Sequence, residues 1–487
     1  MKHLALILLG TISLLSARTW AADSSGNAKR PNIVFILADD LGYTDVACFG
    51  SKYYETPSID RLAAEGMRFT SAYACPNCQP SRAALMSGEY GARTGVYTVG
   101  SIDRFDWQSR PLRPADNVVK LPLDKITIAQ TLKKAGYATG MFGKWHLGED
   151  AQHHPSQRGF DEAIVSMGVH FDFKTNPPVK YPPGTYLGDF LTDHAIDFIR
   201  RHKDGPFFLY LPHFEVHAPL QAKKDLIEHF KPKAPVGGHD NPVYAAMISS
   251  VDQSVGRIMA LLDELNLADN TLVIFGSDNG GVGGYEREGI KGGSITDNAP
   301  LRGGKGMLYE GGIRVPYIFR WKGKISPGSA CDEPIHNVDL YPTLLQITGT
   351  PRPENYLLDG TSYVDLLLNG VSHSPRNPVY QHFPGYLGAG GNTWRTAPGG
   401  TIRQGDWKLI EFFEDGRLEL YNLKTDFGEK QNLAAAEPDK VKELHDKLVA
   451  WRKETNAAMP TPNDHRQAKP AGKKGKQQKL SVEDESE

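Results

Sequence analysis

Cysteine is scarce in this chain, and neither sign of charge dominates it. Four cysteines among 487 residues are far too few for a fold held together by disulfides. The 55 basic side chains nearly balance the 57 acidic ones, so no broad electric field would recruit nucleic acid or a membrane surface. We therefore expect no nucleic-acid partner and no membrane partner, and any functional charge must be local.

Long hydrophobic runs are missing as well. The run at residues 4–15 is interrupted by glycine, threonine and serine, and it falls short of the ~20 apolar residues that span a bilayer. Lys2 before this run and small residues after it are typical of an export signal. We predict a signal peptide at residues 1–22 and a protein exported to the periplasm or the extracellular space. A membrane anchor is the alternative interpretation.

The chain does contain an alternation of strand and helix patterns. Strand patterns are continuous apolar runs, at residues 32–38, 207–211 and 272–275. Helix patterns lie between them, at residues 58–64, 126–135 and 243–265. This alternation is typical of an α/β sheet, in which ligands gather beyond the carboxyl ends of the strands.

The composition changes near residue 375. A glycine-rich loop follows at residues 385–400. Three short strand patterns come next, around residue 402 and at residues 407–412 and 418–421, and a helix pattern follows at residues 438–455. We predict a catalytic domain at residues 23–374 and a small C-terminal subdomain at residues 375–458. Residues 459–487 contain almost no apolar side chains, so we predict a disordered tail there.

The most informative motif is CQPSRAALMSG, from Cys78 to Gly88. Pro80 suits the first turn of a helix and Gly88 suits its end. We therefore expect Cys78 just before a helix N-terminus, where free N–H groups favour a developing anion. Arg82 would lie about one turn inside the helix. Cys75 and Cys78 also form a C-x-x-C pair, so a redox pair or half of a zinc site is the alternative.

Acidic pairs follow two of the strand patterns. Asp39 and Asp40 come directly after the first strand, and Asp278 and Asn279 follow the strand at residues 272–275. Carboxylate and amide oxygens suit calcium or magnesium better than zinc. The aspartate pair alone fits a solvated strand end or a helix cap. A second acidic pair after another strand predicts a divalent-cation site at the edge of the sheet.

Basic and imidazole side chains follow other strand and loop patterns. Lys144 and His146 come after the strand-like run ATGMF, and they share one side if that strand continues. His217 lies in an H-x-P context beyond FFLYLPHF, and His213 is the competing histidine. Lys305 lies in LRGGKG, whose glycines suggest a phosphate-cradling loop, but the order G-x-x-x-x-G-K-[ST] is absent.

Together these motifs resemble the signatures of the sulfatase family. The pattern C-x-P-S-R followed by glycine matches at Cys78, and the pattern L-R-G-x-K-x-x-x-x-E-G-G-x-R-V-P matches from Leu301. A chance match to the first pattern in a chain of this length has a probability on the order of one in ten thousand. The resemblance implies an α/β, alkaline-phosphatase-like sandwich with a large mixed sheet flanked by helices. It also implies a small C-terminal antiparallel sheet with one helix.

The resemblance implies a role for each site residue. Cys78 would be converted to formylglycine, whose hydrate attacks sulfur, and Arg82 would lie close to it. Lys144 would hold the formylglycine oxygens, and Lys305 would hold a sulfate oxygen. The metal ligands of the family, for Ca²⁺ or alternatively Mg²⁺, correspond to Asp39, Asp40, Cys78, Asp278 and Asn279.

Two histidines would move the protons of the reaction. The resemblance implies that His146 removes the proton of the second hydroxyl of the hydrate. His217 would act as acid toward the leaving oxygen, and only this histidine has the H-x-P context that His213 lacks.

The implied substrate is a sulfate monoester of a carbohydrate or, alternatively, of a phenol. Its determinants are expected in loop-rich regions, at residues 101–122, 284–300 and 382–401. The implied partner is a maturation enzyme, either formylglycine-generating or of the anaerobic type. A phosphatase or phosphonate hydrolase of the same superfamily remains an alternative. A non-enzymatic binder of sulfated glycans would be expected to have lost a site residue, and none is missing.

Overall fold

The computed structural model describes residues 30–104, 106–371, 378–390 and 393–464, without the side chains of residues 389–394. The predicted signal at residues 1–22 and the predicted tail beyond residue 464 lie outside these ranges. None of the helices within them combines the length and the apolar character needed to cross a bilayer.

A large mixed sheet forms the centre of the molecule. The strands of the described residues are β1 Asn32–Ala38, β2 Met67–Tyr73, β3 Leu112–Arg113, β4 Ala138–Gly143, β5 Glu162–Val165, β6 Phe207–Pro212, β7 Thr271–Ser277, β8 Arg314–Arg320, β9 Ser329–Cys331, β10 Ile335–His336, β11 Val379–Phe383, β12 Leu387–Gly390, β13 Thr393–Thr396, β14 Gly399–Gln404, β15 Trp407–Phe412, β16 Leu418–Asn422 and β17 Thr461–Pro462. The central sheet has the order β10-β2-β8-β7-β1-β6-β4-β5, and β9 pairs with β2. Strand β8 is antiparallel to both neighbours, and the other pairings of this sheet are parallel.

Helices cover both faces of this sheet. The helices of the described residues are α1 Pro57–Ala64, α2 Cys78–Ser87, α3 Gly91–Thr94, α4 Ile128–Lys134, α5 Leu187–His202, α6 Lys224–Phe230, α7 Pro242–Glu264, α8 Glu310–Ile313, α9 Asn337–Thr348, α10 Val364–Leu368 and α11 Pro438–Glu454. Helices α1, α5 and α7 pack on one face, and α2, α4, α9 and α10 pack on the other. The three helix predictions are confirmed to within two residues at each end, and the predicted α/β sandwich with a mixed sheet is confirmed.

The apolar character of β1 explains why both faces of the sheet are covered. Val34 and Ile36 belong to the core under α5 and α7, whereas Ile33 and Phe35 belong to the core on the opposite face. All seven residues of β1 are buried. A strand buried on both faces needs a continuous apolar run rather than an alternating one, and this run marked it in the sequence.

The C-terminal part forms a second, antiparallel sheet in the order β11-β14-β15-β16. Helix α11 packs on it through Leu448, which shares a core with Ile402 and Leu409. The predicted small sheet with one helix is therefore confirmed. The glycine-rich segment at residues 385–400 was predicted as a loop, but it contains the β12–β13 hairpin, because backbone pairing there overrides the low strand propensity of glycine.

The start of the predicted tail also differs from the structure. Strand β17 lies within residues 459–487, and it pairs antiparallel with β3. The Asn463 N–H donates to Pro111 O at 2.9 Å. Backbone hydrogen bonds order this short piece although it has almost no apolar side chain to bury.

Candidate active site

The two acidic pairs meet at the carboxyl edge of the central sheet. Strands β1 and β7 are parallel neighbours, in register along their whole length. The residues that follow them therefore lie side by side. The Asp40 N–H donates to Asp278 Oδ1 at 3.2 Å, and Asn279 Nδ2 donates to Asp40 Oδ1 at 2.8 Å. Asp39 is buried beside them, so the structure brings together the four residues that the sequence singled out.

Cys78 begins the helix that faces this edge. The sequence placed it just before the helix, but it is the first residue of α2, because Asn77 already has the extended backbone of an N-cap. Gly88 ends the helix in the left-handed conformation, with a φ of 70°. Cys78 Sγ and one oxygen each from Asp39 and Asp278 lie within 4.8 Å of one another.

Two cationic side chains bridge the carboxylates. Arg82 Nε and Nη2 bind Asp278 Oδ2 at 2.9 and 2.8 Å, and its Nη1 donates to Lys144 O at 2.7 Å. Lys144 Nζ donates to Asp39 Oδ2 at 2.6 Å. All of these side chains are buried, so their charges interact with little screening by water.

His146 reaches the site by a different route from the predicted one. The prediction assumed that β4 continues, which would put Lys144 and His146 on the same side. The strand instead ends at Gly143, and His146 has a left-handed backbone with a φ of 60°. This turn brings its Nδ1 to 3.5 Å from Cys78 Sγ. Both residues therefore lie at the site, although the strand geometry that was expected to place them is absent.

His217 and Lys305 complete the constellation. Lys305 Nζ donates to Asp40 Oδ2 at 2.8 Å and lies 3.4 Å from His217 Nε2. His217 Nδ1 lies 2.7 Å from the carbonyl oxygen of Ala218. A carbonyl can only accept, so Nδ1 carries a proton and Nε2 faces the site. His213 lies elsewhere, with its Nε2 at 2.9 Å from Ser254 Oγ.

The pKa values of the acidic groups diverge. Burial alone would raise the pKa of Asp39, but the nearby cationic side chains, Lys144 first among them, hold that pKa well below its usual range. Burial and the neighbouring Asp39 raise the pKa of Asp278 to about 7. Burial raises the pKa of the Cys78 thiol to about 11. At neutral pH residue 78 is therefore a protonated thiol, which is a poor nucleophile.

Both histidines of the site are neutral at rest. Burial lowers their pKa values, and the charge of Lys144 lowers them further. His146 can therefore accept a proton as it stands, whereas His217 must gain a proton before it can donate one from Nε2. A negatively charged substrate next to His217 would favour its protonated form.

The donor atoms at the sheet edge fit a hard divalent cation. Asp39 Oδ1 and Asn279 Oδ1 are buried and accept no hydrogen bond from any described residue. A buried oxygen without a partner costs free energy unless a ligand satisfies it. Oxygen donors of this kind are the ligands of calcium and magnesium in proteins. Both atoms belong to predicted metal ligands.

The two cysteines of the C-x-x-C pair have different surroundings. The structure contains no disulfide between them, and all four cysteines are free. Cys75 belongs to the core beneath the C-terminal sheet, and burial raises the pKa of its thiol to about 12. Cys78 faces the carboxylates instead. This arrangement favours the nucleophile interpretation over the redox or zinc interpretation.

Close backbone packing explains the glycines around Lys305. A Cβ on Gly280 would lie 1.9 Å from Gly311 O, and a Cβ on Gly304 would lie 2.1 Å from Gly283 O. No side chain fits at either position. Gly280 and Gly304 therefore allow the Lys305 loop, residues 301–306, to approach the strand ends closely.

Two of the predicted substrate regions, residues 284–300 and 382–401, contact the Lys305 loop, and residues 101–122 contact the second of these regions. The Leu112 N–H donates to Tyr386 Oη at 3.3 Å, which joins residues 101–122 to the C-terminal part. The guanidinium carbon of Arg395 lies 4.8 Å from the centre of the Tyr285 ring, and Tyr285 Oη donates to Lys305 O at 2.9 Å. Phe105 and residues 391–392 lie outside the described ranges.

A polar cavity opens beside His146. Its volume is about 190 Å³, and its walls include Trp145, Met167, Lys174 and Asn176. An aromatic and apolar wall next to a charged and amide rim is typical of a site for a small polar ligand.

Sequence reasoning did not single out Glu215 and His170. Both are fully buried directly behind His217. The only local signal was the position of Glu215 between two histidines in HFEVH. His170 lies 47 residues before His217, and no pattern in the sequence indicated their contact.

The fold and the site define the class of protein. A mixed sheet lies between two helix layers, and carboxylates, cations and a helix-terminal cysteine gather at its strand ends. This combination defines a hydrolase with an alkaline-phosphatase-like fold.

Comparisons with known proteins identify the family. The family model described as Sulfatase matches residues 31–350, and the model described as N-sulphoglucosamine sulphohydrolase, C-terminal, matches residues 304–454. A sulfatase from Formosa agariphila is 35% identical, over 94% of this chain and 94% of its own length. N-acetylgalactosamine-6-sulfatase from Rattus norvegicus is 32% identical, over 89% of this chain and 80% of its own length.

A comparison with solved structures gives a similar result. The crystal structure of Ps i-CgsB in complex with k-i-k-neocarrahexaose is similar to this chain with a TM-score of 0.73 and 31% sequence identity. The match covers 87% of this chain and 93% of that one. The chain belongs to the sulfatase family. It is therefore a sulfuric ester hydrolase, in a family that includes sulfatases of sulfated carbohydrates.

Proposed function

We propose that this enzyme hydrolyses sulfate monoesters of carbohydrates through a formylglycine made from Cys78, with Ca²⁺ bound at the strand ends. The observation that carries the proposal is the position of Cys78. Its Sγ lies among Asp39, Asp278 and His146 at a helix N-terminus, where a developing anion is favoured. The high pKa of the thiol supports conversion, because the unmodified residue would be a poor nucleophile.

The first step transfers the sulfuryl group to residue 78. One hydroxyl of the hydrated aldehyde attacks sulfur and loses its proton to water, and the bond between sulfur and the leaving alcohol oxygen breaks. His217 donates its Nε2 proton to that oxygen. The proton lost to water balances the one that His217 takes up from water when the substrate binds. Lys305 lies 3.4 Å from His217 Nε2, close enough to hold an oxygen of the same sulfate group.

The second step releases sulfate. His146 accepts the proton of the second hydroxyl, the electron pair of that O–H bond forms the aldehyde C=O bond, and the bond between carbon and the sulfate oxygen breaks. Nδ1 of His146 lies 3.5 Å from Cys78 Sγ, and the oxygens of the hydrate would replace this sulfur atom. The proton of the second hydroxyl therefore has a short path to His146. Water then adds to the aldehyde and restores the hydrate.

The charges of the site suit an anionic ester. A bound divalent cation would keep Asp39, Asp40 and Asp278 ionised. The three aspartates then balance Arg82, Lys144 and Lys305, so the cation leaves a net charge of two positive units. Asp39, Asp40, Asp278 and Asn279, together with residue 78, would hold this cation, and Mg²⁺ is the alternative to Ca²⁺. When bound, it would polarise a sulfate oxygen. Negative charge moves onto the leaving oxygen during the reaction, and a positive, preorganised site favours that transition state.

The carbohydrate substrate, the export of the protein and its maturation are parts of the same proposal. The N-acetylgalactosamine-6-sulfatase relative and the carrageenan-type oligosaccharide named in the Ps i-CgsB complex support a sulfated sugar. The cavity beside His146 would take part of that sugar. An exported enzyme meets such polymers outside the cell, and maturation needs a formylglycine-generating or anaerobic enzyme in the host.

The test is the hydrolysis of sulfated mono- and oligosaccharides and of aryl sulfates by protein matured in a converting host. We expect sulfate release that chelation abolishes and Ca²⁺ restores. The matched control is Cys78→Ala from the same host, which should release no sulfate. Release of sulfate by the control at the wild-type rate would contradict the role of residue 78.

A phosphatase or phosphonate hydrolase is the second candidate. This candidate is supported by the chemistry of the site, because the same cationic side chains and predicted metal ligands would also bind a phosphorus ester. Matched phosphate, phosphonate and sulfate esters of one alcohol separate the two, because the proposal requires the largest kcat/KM for the sulfate ester.

A further inference from the structure

A buried charged cluster that the proposed mechanism does not use lies behind His217. Glu215, His170 and His213 are all 0% exposed. Burying a carboxylate costs several kcal/mol unless partners compensate for the lost hydration. A cluster of this kind adjacent to a site therefore calls for an explanation beyond ordinary packing.

Two imidazoles flank the carboxylate. Glu215 Oε1 lies 3.7 Å from His170 Nδ1, and Glu215 Oε2 lies 3.3 Å from His213 Nδ1. Burial alone would raise the pKa of Glu215, but its interactions with the two histidines hold that pKa well below its usual range. His213 is fixed in turn to α7, since its Nε2 lies 2.9 Å from Ser254 Oγ.

His170 lies between the Glu215 carboxylate and the backbone of His217. Its Nε2 lies 2.9 Å from the carbonyl oxygen of His217, which can only accept, so Nε2 donates there. Its Nδ1 points to the carboxylate of Glu215. The hydrogen bond from Nε2 fixes the His217 carbonyl, and the Glu215 carboxylate, 3.7 Å from Nδ1 and not hydrogen-bonded to it, limits how the ring can turn.

Packing leaves the linked groups little freedom. The ring of Phe214 stacks on His170 at 4.8 Å and lies 5.0 Å from the ring of His217. A Cβ on Gly188 would lie 2.5 Å from Glu215 Oε1, so the helix α5 backbone closes off the space beside the carboxylate. A catalytic group that must donate a proton along a defined line benefits from such restriction.

We propose that Glu215 and His170 are positioning residues for His217, the acid of the reaction. The carboxylate orients His170, and His170 holds the backbone of His217 so that Nε2 faces the leaving oxygen. This inference rests on the proposed function, because it assigns what positions the acid of that mechanism.

A double-mutant cycle on the matured, full-length enzyme tests the proposal. Glu215→Gln is measured in the wild-type background and in a His217→Asn background, with the most reactive sulfate ester that the wild type hydrolyses. In the wild-type background we expect kcat to fall by about 10- to 100-fold with little change in KM. In the His217→Asn background we expect a further loss of less than about twofold.

Equal losses in the two backgrounds would overturn the proposal, because Glu215 would then act independently of His217. So would a loss of less than about threefold in the wild-type background. The matched control is Asp252→Asn, which neutralises a different buried carboxylate. Asp252 lies on α7 and accepts hydrogen bonds from the N–H groups of Ser58 and Ile59. The control should have the same effect in both backgrounds. If Glu215→Gln fails to fold, His170→Gln takes its place in the same cycle with the same criteria.

A crystal structure of the Glu215→Gln variant provides a readout that needs no substrate. We expect the His217 ring to leave its position 3.4 Å from Lys305 Nζ, or to adopt more than one orientation. An unmoved, single orientation would overturn the proposal. Because this readout does not depend on catalysis, a failure of the positioning role is distinguishable from a failure of sulfate hydrolysis.

Discussion

Two buried charge clusters of similar size lie in the described part of the chain, and they are organised differently. The catalytic cluster contains three carboxylates and three cationic side chains, namely Asp39, Asp40, Asp278, Arg82, Lys144 and Lys305. The intersheet cluster joins the central sheet to the C-terminal sheet through two carboxylates and three cationic side chains, namely Glu310, Glu429, Lys408, Arg314 and Arg403.

In the intersheet cluster, a lysine of the chain itself pairs with both carboxylates. Lys408 Nζ lies between the two carboxylates, 2.9 Å from Glu310 Oε1 and 2.8 Å from Glu429 Oε1. Arg314 Nε donates to Glu310 Oε2 at 2.5 Å. The chain thus supplies the charge that would otherwise come from a ligand, and the cluster holds β15 against α8 through the pair of Lys408 and Glu310.

The catalytic cluster is left open. Arg82, Lys144 and Lys305 bind the Oδ2 atoms of the three aspartates. Asp39 Oδ1 and Asn279 Oδ1 have no hydrogen-bond donor among the described residues.

The comparison teaches that composition alone does not distinguish a docking cluster from a reactive one. The distinguishing feature is whether a cation of the chain lies close to each buried carboxylate oxygen. Glu429 Oε1 accepts no hydrogen bond from the described part of the chain but has Lys408 Nζ at 2.8 Å, whereas Arg82 Nη2 is 3.7 Å from Asp39 Oδ1.

Removing the proton donor of the open cluster should have the largest effect. We expect His217→Asn to lower kcat by about 10²–10⁴-fold, because general acid catalysis is lost. The loss should be greater for esters of poorly leaving alcohols than for esters of acidic phenols, and kinetics on such a series would measure it. An equal loss for every leaving group would contradict the role of His217 as the acid.

Removing one lysine from each cluster separates their roles. We expect Lys408→Met to lower the free energy of unfolding by about 3–5 kcal/mol, because it leaves two carboxylates buried without their shared cation. The kcat of the protein that remains folded should change little. Lys144→Met should instead lower kcat by about 10²–10³-fold.

Thermal denaturation and kinetics on the same two preparations measure both effects. A loss of kcat in Lys408→Met as large as that in Lys144→Met would break the distinction between the clusters.

The smallest expected effect depends on pH. Burial and the nearby Glu310 raise the pKa of Glu429 to about 7, although Lys408 opposes this. The folded protein therefore retains a proton at pH values where the unfolded chain has lost it. This group contributes stability below its ordinary pKa, and the contribution is lost as the pH rises through about 7.

Glu429→Gln keeps the side chain neutral at every pH. We expect the variant to gain on the order of 1–3 kcal/mol relative to the wild type between pH 5 and pH 8. Urea denaturation of both proteins at each pH measures this difference. A difference that does not change with pH would show that Glu429 does not titrate in this range.

The strand ends of the catalytic cluster were predictable because local patterns mark them. Continuous apolar runs identified β1 and β7, and polar residues directly after parallel strands must meet at one edge. The fold class followed from the same alternation of patterns together with the family resemblance. The signatures around Cys78 and Lys305 are likewise contiguous in the sequence.

Other features depend on contacts between distant segments. The left-handed turn at His146 arises where β4 stops pairing, and nothing in the local sequence indicated it. Glu215 meets His170 only after β6 and the segment before α5 have packed together. The intersheet cluster joins residues about 100 positions apart, such as Glu310 and Lys408. Isolated charged residues of this kind are usually exposed, and no pattern around them predicts that they are buried.

The most direct test of the central claim is tandem mass spectrometry of the tryptic peptide from residues 69–82, after alkylation of thiols in active enzyme. Cleavage after Arg68 and Arg82 isolates this peptide, and Cys75 within it is an internal control for alkylation. We expect an alkylated Cys75 and, at residue 78, the mass of an aldehyde in place of a thiol. An alkylated Cys78 throughout a preparation that hydrolyses sulfate esters would contradict the formylglycine mechanism.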